Sequence, residues 1–207
     1  MTRPEDAALA AELGAAYVGV IFAESPRRVT PRAARIILDA AGNGVKRVGV
    51  FGTNSPEDIS RAAGEAGLDV AQLHADPTTA DVIALRDHFQ GDIWAALRIG
   101  DSHIPPDAAS LLEESDAIVL DARAQHVLGG TGLPLPWSDL AGDLARLRGD
   151  SMVVLAGGLT PDNVGTAIRT LAPDVADVSS GVEDRPGEKN HRLMAAFAAA
   201  VAGSRRI

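Results

Sequence analysis

Short apolar runs alternate with longer amphipathic stretches from one end of the chain to the other. The first run, over 16–22, joins β-branched and aromatic residues (Tyr17, Val18, Val20, Ile21) and reads as a buried strand. Further strand-like runs lie at 47–51, 69–73, 93–99, 117–120, 152–156 and 175–178. They are continuously apolar rather than alternating, as expected of a parallel sheet covered on both faces. Between them fall helical segments beginning near Ser55, Asp76, Pro106, Trp137, Thr160 and Asn190, with one more opened by Thr30-Pro31 and ending near Gly42. Several share a start device: Thr30-Pro31, Ser55-Pro56, Asp76-Pro77 and Thr160-Pro161 each put proline just after a capping residue. A helix is also predicted at the very beginning. Thr2 and Glu5 have capping-box spacing, and the run from Ala7 to Leu13 favours helix until Gly14.

Each strand-plus-helix unit takes roughly 20–32 residues, the size of one βα repeat. Seven strands and eight helices in regular alternation predict a (β/α)8 barrel (a TIM barrel) whose first strand is missing from the sequence, with residues 1–207 as one domain. A doubly wound sheet fits less well, because no Gly-x-Gly-x-x-Gly turn follows the first strand.

Composition narrows the function. The net charge of −9 argues against a nucleic-acid partner but leaves room for a small anionic ligand in a locally positive pocket. Without cysteine, the chain offers no disulfide, thiolate nucleophile or zinc–cysteine site. Lys46 and Lys189 are the only lysines, and neither is predicted to end a strand, which disfavours Schiff-base aldolases and indoleglycerol-phosphate synthase. No apolar run has spanning length, so no membrane partner is expected and the expected compartment is the cytoplasm. Of the five histidines, His88, His103, His126 and His191 lack ligand spacing and are read as solvated, so no metal is expected.

In a barrel of this type, chemistry gathers where strands end. Asp121 ends the sixth barrel strand and is either a general acid or a loop anchor. His74 either orients a substrate or satisfies a buried hydrogen bond. Arg27 is a guanidinium suited to a carboxylate, or a solvated side chain. Gly157-Gly158 before Thr160, and Ser179-Ser180-Gly181 after the last strand, expose backbone amides where barrels commonly hold phosphate. Gly129-Gly130-Thr131-Gly132 lies in a long loop that is a lid or a surface segment.

Taken in order, these stretches resemble phosphoribosylanthranilate isomerases of tryptophan biosynthesis. The resemblance rests on Ser25-Pro26-Arg27, Arg47 to Phe51 with Asn54, Val70 to His74, Leu120-Asp121, Gly129 to Gly132 with Trp137, Leu155 to Leu159 with Asn163, and Asp177 to Glu183 with Pro186-Gly187. It implies a cofactor-free Amadori rearrangement of a small phosphorylated substrate by a monomer or homodimer. Asp121 would be the general acid, and Arg27 would hold the anthranilate carboxylate. Gly157, Gly158, Ser180 and Gly181 would take the phosphate, with His74 and Asp177 also contacting substrate. The resemblance further implies a cysteine base in a Lys-x-Cys-Gly-[Ile/Met]-Thr motif on the first strand, with whose end Met1-Thr2-Arg3-Pro4 aligns. A shortened phosphate-binding barrel lacking that base is the alternative expectation, with Asp177 and Glu183 the nearest substitutes.

Overall fold

A computed structural model describes residues 1–99, 103–104, 108–122, 137–148 and 151–204. Helix α1 (Pro4–Glu12) leads into β1 (Tyr17–Ile21), and the alternation continues with α2 (Pro31–Asp39), β2 (Lys46–Phe51), α3 (Pro56–Ala66) and β3 (Val70–Leu73). Then come α4 (Thr79–Arg86), β4 (Asp92–Ile99), α5 (Ala108–Glu114), β5 (Ala117–Ala122), α6 (Trp137–Leu147) and β6 (Met152–Leu155). The chain continues through α7 (Val164–Leu171), β7 (Val175–Ala176), a 3-10 turn (Ser180–Val182), a small hairpin of β8 (Glu183–Arg185) and β9 (Glu188–Lys189), and α8 (His191–Ser204). Strands β1 to β7 form one parallel sheet in sequence order, with β1 at one edge and β7 at the other. All six pairings are parallel. Among the described residues the architecture is thus the curled, seven-stranded barrel sheet with eight helices that the alternation predicts.

Two apolar layers hold it. Alternate strand residues point inward and pack together: Val48, Val70, Trp94, Ala96, Val119 and Val154 belong to this inner cluster. Their neighbours point outward against the helices, where Ile93, Ile118, Leu120, Leu140 and Leu155 are fully buried. Small inward residues such as Ala96 and Ala117 leave room for Trp94 to cross the interior, where it meets the ring of Tyr17 edge-on at 4.8 Å. The lower rim has a repeated device. Asp69, Asp116 and Asp174, each immediately before or at a strand start, accept the N–H of Arg47, Ile93 and Val153 on the preceding strand at 2.7–2.8 Å. Each satisfies a backbone donor that no helix or neighbouring strand reaches.

Some predicted helix starts are corrected. Thr30 and Ser55 cap as expected, accepting from the N–H of Ala33 and Asp58. Asp76-Pro77 does not cap α4. Asp76 has a left-handed backbone, and Thr78 caps instead, in a reciprocal box with Asp81. Thr160-Pro161 forms a turn rather than a first helical turn, because the Asn163 side chain binds the N–H of Thr160 at 2.8 Å and α7 begins only at Val164. The Thr2–Glu5 capping box is absent. Arg3 occupies the cap position of α1 without a side-chain bond, and the Thr2 hydroxyl donates to the carbonyl of Gly187 instead. The hairpin Glu183–Lys189 was not anticipated, although Pro186-Gly187, with Gly187 at φ +87°, is a turn signal between charged pairs.

Candidate active site

Inward-pointing residues at the carboxyl ends of the strands meet at one mouth. β3 passes Gln72 and then His74 toward the axis, and β5 passes Asp121. His74 Nε2 stands 3.3 Å from Asp121 Oδ2, and its Nδ1 is 3.3 Å from the Gln72 amide. The two residues offered by the sequence as independent candidates therefore form a pair. Both are partly exposed to the mouth, with side-chain exposures of 35% and 20%.

Asp177 follows β7 and shares this space. The residue is exposed, but it opens into a cavity of about 440 Å³ enclosed by the barrel interior and the helix layer. That enclosure, together with the charge of Asp121, pushes its carboxyl pKa up, and the cationic groups of Lys189 and the Met1 amine offset the rise only in part.

Arg27, in the loop after β1, lies across the mouth from these carboxylates. Its guanidinium grips Glu183 through Nε at 3.0 Å to both oxygens and through Nη2 at 2.7 Å. Lys189 completes the cluster, its ammonium 3.1 Å from Glu183 and 2.8 Å from the carbonyl of Ser179. Burial would raise the Glu183 pKa, but the bonds from Arg27 and Lys189 outweigh it and hold the carboxyl below its ordinary range. The sequence reading placed Lys189 away from the mouth. It ends no strand of the barrel sheet, but it ends β9 of the unforeseen hairpin, which brings its side chain to Glu183, where only 5% of it is exposed.

The two glycine-bearing turns also converge. Gly157 and Gly158 adopt φ of +77° and +67°, which turns the chain sharply after β6, and Asn163 fixes the turn by donating to the carbonyl of Gly158 at 2.9 Å. Gly181 packs directly against this turn, since a Cβ there would sit 1.8 Å from the carbonyl oxygen of Leu159. Ser180 and Gly181 begin the 3-10 turn beside it. The loop with Gly129 to Gly132 and Pro136, His126 among it, lies outside the described residues.

The remaining histidines are surface groups with acidic partners. His88 is 3.6 Å from Glu57 and His103 is 3.2 Å from Asp143. His191 is less simply solvated than expected, because its Nε2 stands 2.9 Å from Asp6, a carboxylate with no exposure that also receives Arg3 at 2.7 and 2.9 Å. Among the described residues, no three His, Asp or Glu side chains cluster as a metal site.

Comparison with known proteins decides among barrel chemistries. The family model for N-(5′-phosphoribosyl)anthranilate isomerase matches residues 1–200. The chain belongs to this isomerase family. It is similar to the isomerase of Rubrobacter xylanophilus, with 44% identity over 206 residues covering 97% of this chain and 95% of that one. The Pseudomonas fluorescens isomerase is 36% identical over 205 residues, covering 99% and 93%. Among solved structures, the Thermotoga maritima isomerase superposes with a TM-score of 0.86 at 33% identity, covering 98% and 96% of the two chains. The Thermus thermophilus isomerase gives 0.84 at 35%, covering 99% and 96%. Similarity spread over nearly the whole of both chains does not favour a barrel reduced to phosphate binding. Among the described residues, no helix is long and apolar enough to cross a membrane.

Proposed function

We propose that this chain acts as the family's relatives are named to act, isomerising N-(5′-phosphoribosyl)anthranilate, an aldose derivative, to the corresponding 1-(o-carboxyphenylamino)-1-deoxyribulose 5-phosphate. The observation that carries the reading is the Asp121–His74 pair at 3.3 Å, set in the mouth between the Arg27 rim and the two glycine turns. A solved family structure, 31% identical with a TM-score of 0.81, holds the reduced form of that product.

In this reading the phosphate sits on the amides of Gly157, Gly158, Ser180 and Gly181, and Arg27 shifts part of its fork from Glu183 to the anthranilate carboxylate. Asp121 donates its proton to the ribose ring oxygen, the C1′–O bond breaks, and the open sugar becomes a Schiff base. Loss of the C2′ proton gives an enolamine, whose tautomerisation to the ketone completes an isomerisation with no net gain or loss of atoms. Of the two carboxylates that the sequence offers as proton acceptors, Glu183 is neutralised by Arg27 and Lys189. Asp177, with its raised proton affinity, is the better suited. The 207 residues work as one barrel domain, in the cytoplasm, as a monomer or homodimer.

Following the loss of substrate fluorescence tests the assignment. Asp121→Asn should lower kcat by about 10²–10⁴-fold while leaving product-analogue affinity within a few-fold. An unaltered kcat would remove Asp121 from the mechanism, and no turnover by the parent chain would overturn the reading.

A further inference from the structure

Asp6 lies in the first turn of α1, far in sequence from the charge cluster at the rim, and has no exposure to water. Both its oxygens are fully used. Oδ1 accepts from Arg3 Nη2 at 2.7 Å and from His191 Nε2 at 2.9 Å, and Oδ2 accepts from Arg3 Nε at 2.9 Å and from the backbone N–H of Lys189 at 3.3 Å. Burial would raise the Asp6 pKa, but the bonds from Arg3 and His191 outweigh it, so the carboxylate is charged at neutral pH. Arg3 Nη2 donates a second time, to the carbonyl of Lys189 at 3.1 Å. The Lys189 backbone is thus held on both sides, its N–H by Asp6 and its C=O by Arg3. With the flanking peptide groups fixed, so are the two soft dihedrals that aim the side chain. That side chain runs to the rim, where its ammonium meets the carbonyl of Ser179 and the carboxylate of Glu183. Ser179 precedes the Ser180–Val182 turn, and Glu183 holds Arg27.

We propose, on the strength of the isomerase reading, that Asp6 is a positioning residue for both grips on the substrate. Through the Lys189 backbone it sets Glu183, and so the angle at which Arg27 meets the anthranilate carboxylate. Through the same ammonium it sets the carbonyl of Ser179, and so the turn whose amides take the phosphate. Holding α1 in place does not call for a buried charge. Ala7 and Ala10 already bury the inner face of the helix, and an apolar residue of similar volume stabilises such a contact as well as an ion pair does. What the carboxylate adds is direction, because it accepts from a backbone N–H and from the guanidinium that holds the neighbouring carbonyl. His191 is a separate tie, from the same carboxylate to the start of α8, and it does not touch the Lys189 backbone.

The test reads turnover together with the nitrogen-15 NMR signal of the Arg27 Nε–H, identified by its loss in Arg27→Lys. In Asp6→Asn, KM should rise about tenfold with kcat kept within about threefold, because both grips act on the substrate before the chemical step. Solvent exchange of the Arg27 Nε–H should quicken by at least about tenfold as Glu183 loses its setting. His191→Leu cuts only the tie to α8 and should leave both readouts within about twofold of wild type. Unchanged KM and exchange in folded Asp6→Asn would overturn the proposal. So would equal effects from His191→Leu, since the carboxylate would then be a staple between helices. If Asp6→Asn does not fold, Arg3→Lys keeps a cation beside Asp6 without the fork that spans to the Lys189 carbonyl, and it is held to the same outcomes. A wild-type chain without turnover would sink the isomerase reading, and the Arg27 signal would then decide the role of Asp6 by itself.

Discussion

Replacing Glu183 by Gln probes the charge cluster at the rim with almost no change of shape. Glu183 is 4% exposed and Lys189 5%, so neither charge has ready access to water, whereas Arg27 keeps 23%. Gln still accepts a hydrogen bond, but the Lys189 ammonium loses its ion-pair partner and keeps the carbonyl of Ser179 at 2.8 Å, with Asp177 the acidic group that still acts on it. Stranding a buried ion of this kind costs about 3–5 kcal/mol, and the released Arg27 adds little because it can turn toward solvent. At an m-value of about 2 kcal/mol/M, the urea midpoint at pH 7 should fall by about 1.5–2.5 M, followed by the fluorescence of Trp94 and Trp137. The sign of the pH dependence is fixed. The Glu183 carboxyl is held below its ordinary 4.5, so its stabilisation is complete above that value and is lost as the pH falls through the lowered one. The gap between wild type and Glu183→Gln should therefore narrow in acid. Adding Lys189→Met removes the stranded cation and should recover most of the loss. A single-variant cost below about 1 kcal/mol, which is the scale of an exposed pair, would refute the claim that this pair is buried and coupled. A double variant no more stable than the single would do the same.

Asp177→Asn should be more stable than wild type near pH 7.5 and lose that advantage toward pH 4. The folded state holds the Asp177 proton above its ordinary 3.8, so ionisation destabilises it as the pH rises through the raised value; equilibrium unfolding at the two pH values checks this. Gly181→Ala would drive a Cβ to 1.8 Å from the Leu159 carbonyl, and the turn after β6 must move. Stability should fall by about 1–3 kcal/mol, with substrate KM rising more than kcat falls; an unchanged KM would detach this contact from phosphate binding.

The sequence alone determined the repeat. Apolar runs such as 16–22 and 117–120 are set by hydrophobic periodicity, a local property, and they returned as β1 and β5 within a residue or two. Helix starts were legible where one side chain caps one turn, as at Thr30 and Ser55. They failed at Thr2, Asp76 and Thr160, where a competing partner sets the backbone: the Gly187 carbonyl takes Thr2, Thr78 with Asp81 supplants Asp76, and Asn163 captures Thr160. The site was legible as residue types at strand ends, since a parallel barrel puts every such end at one mouth. Only the tertiary structure decided which of them meet. Pairing His74 with Asp121, or closing Arg27 and Lys189 on Glu183, depends on barrel curvature and on a hairpin whose pattern of Glu183, Arg185, Glu188 and Lys189 carries no hydrophobic period. MTRPED is the clearest case. Its spacing suggests a self-contained helix cap, but the fold commits both ends of that cap elsewhere, the Met1 amine donating to the carbonyl of Gly19 and the Thr2 hydroxyl to that of Gly187. Capping is decided within four residues of chain; these two bonds reach partners 18 and 185 positions away, which only the packed sheet and the hairpin bring within range.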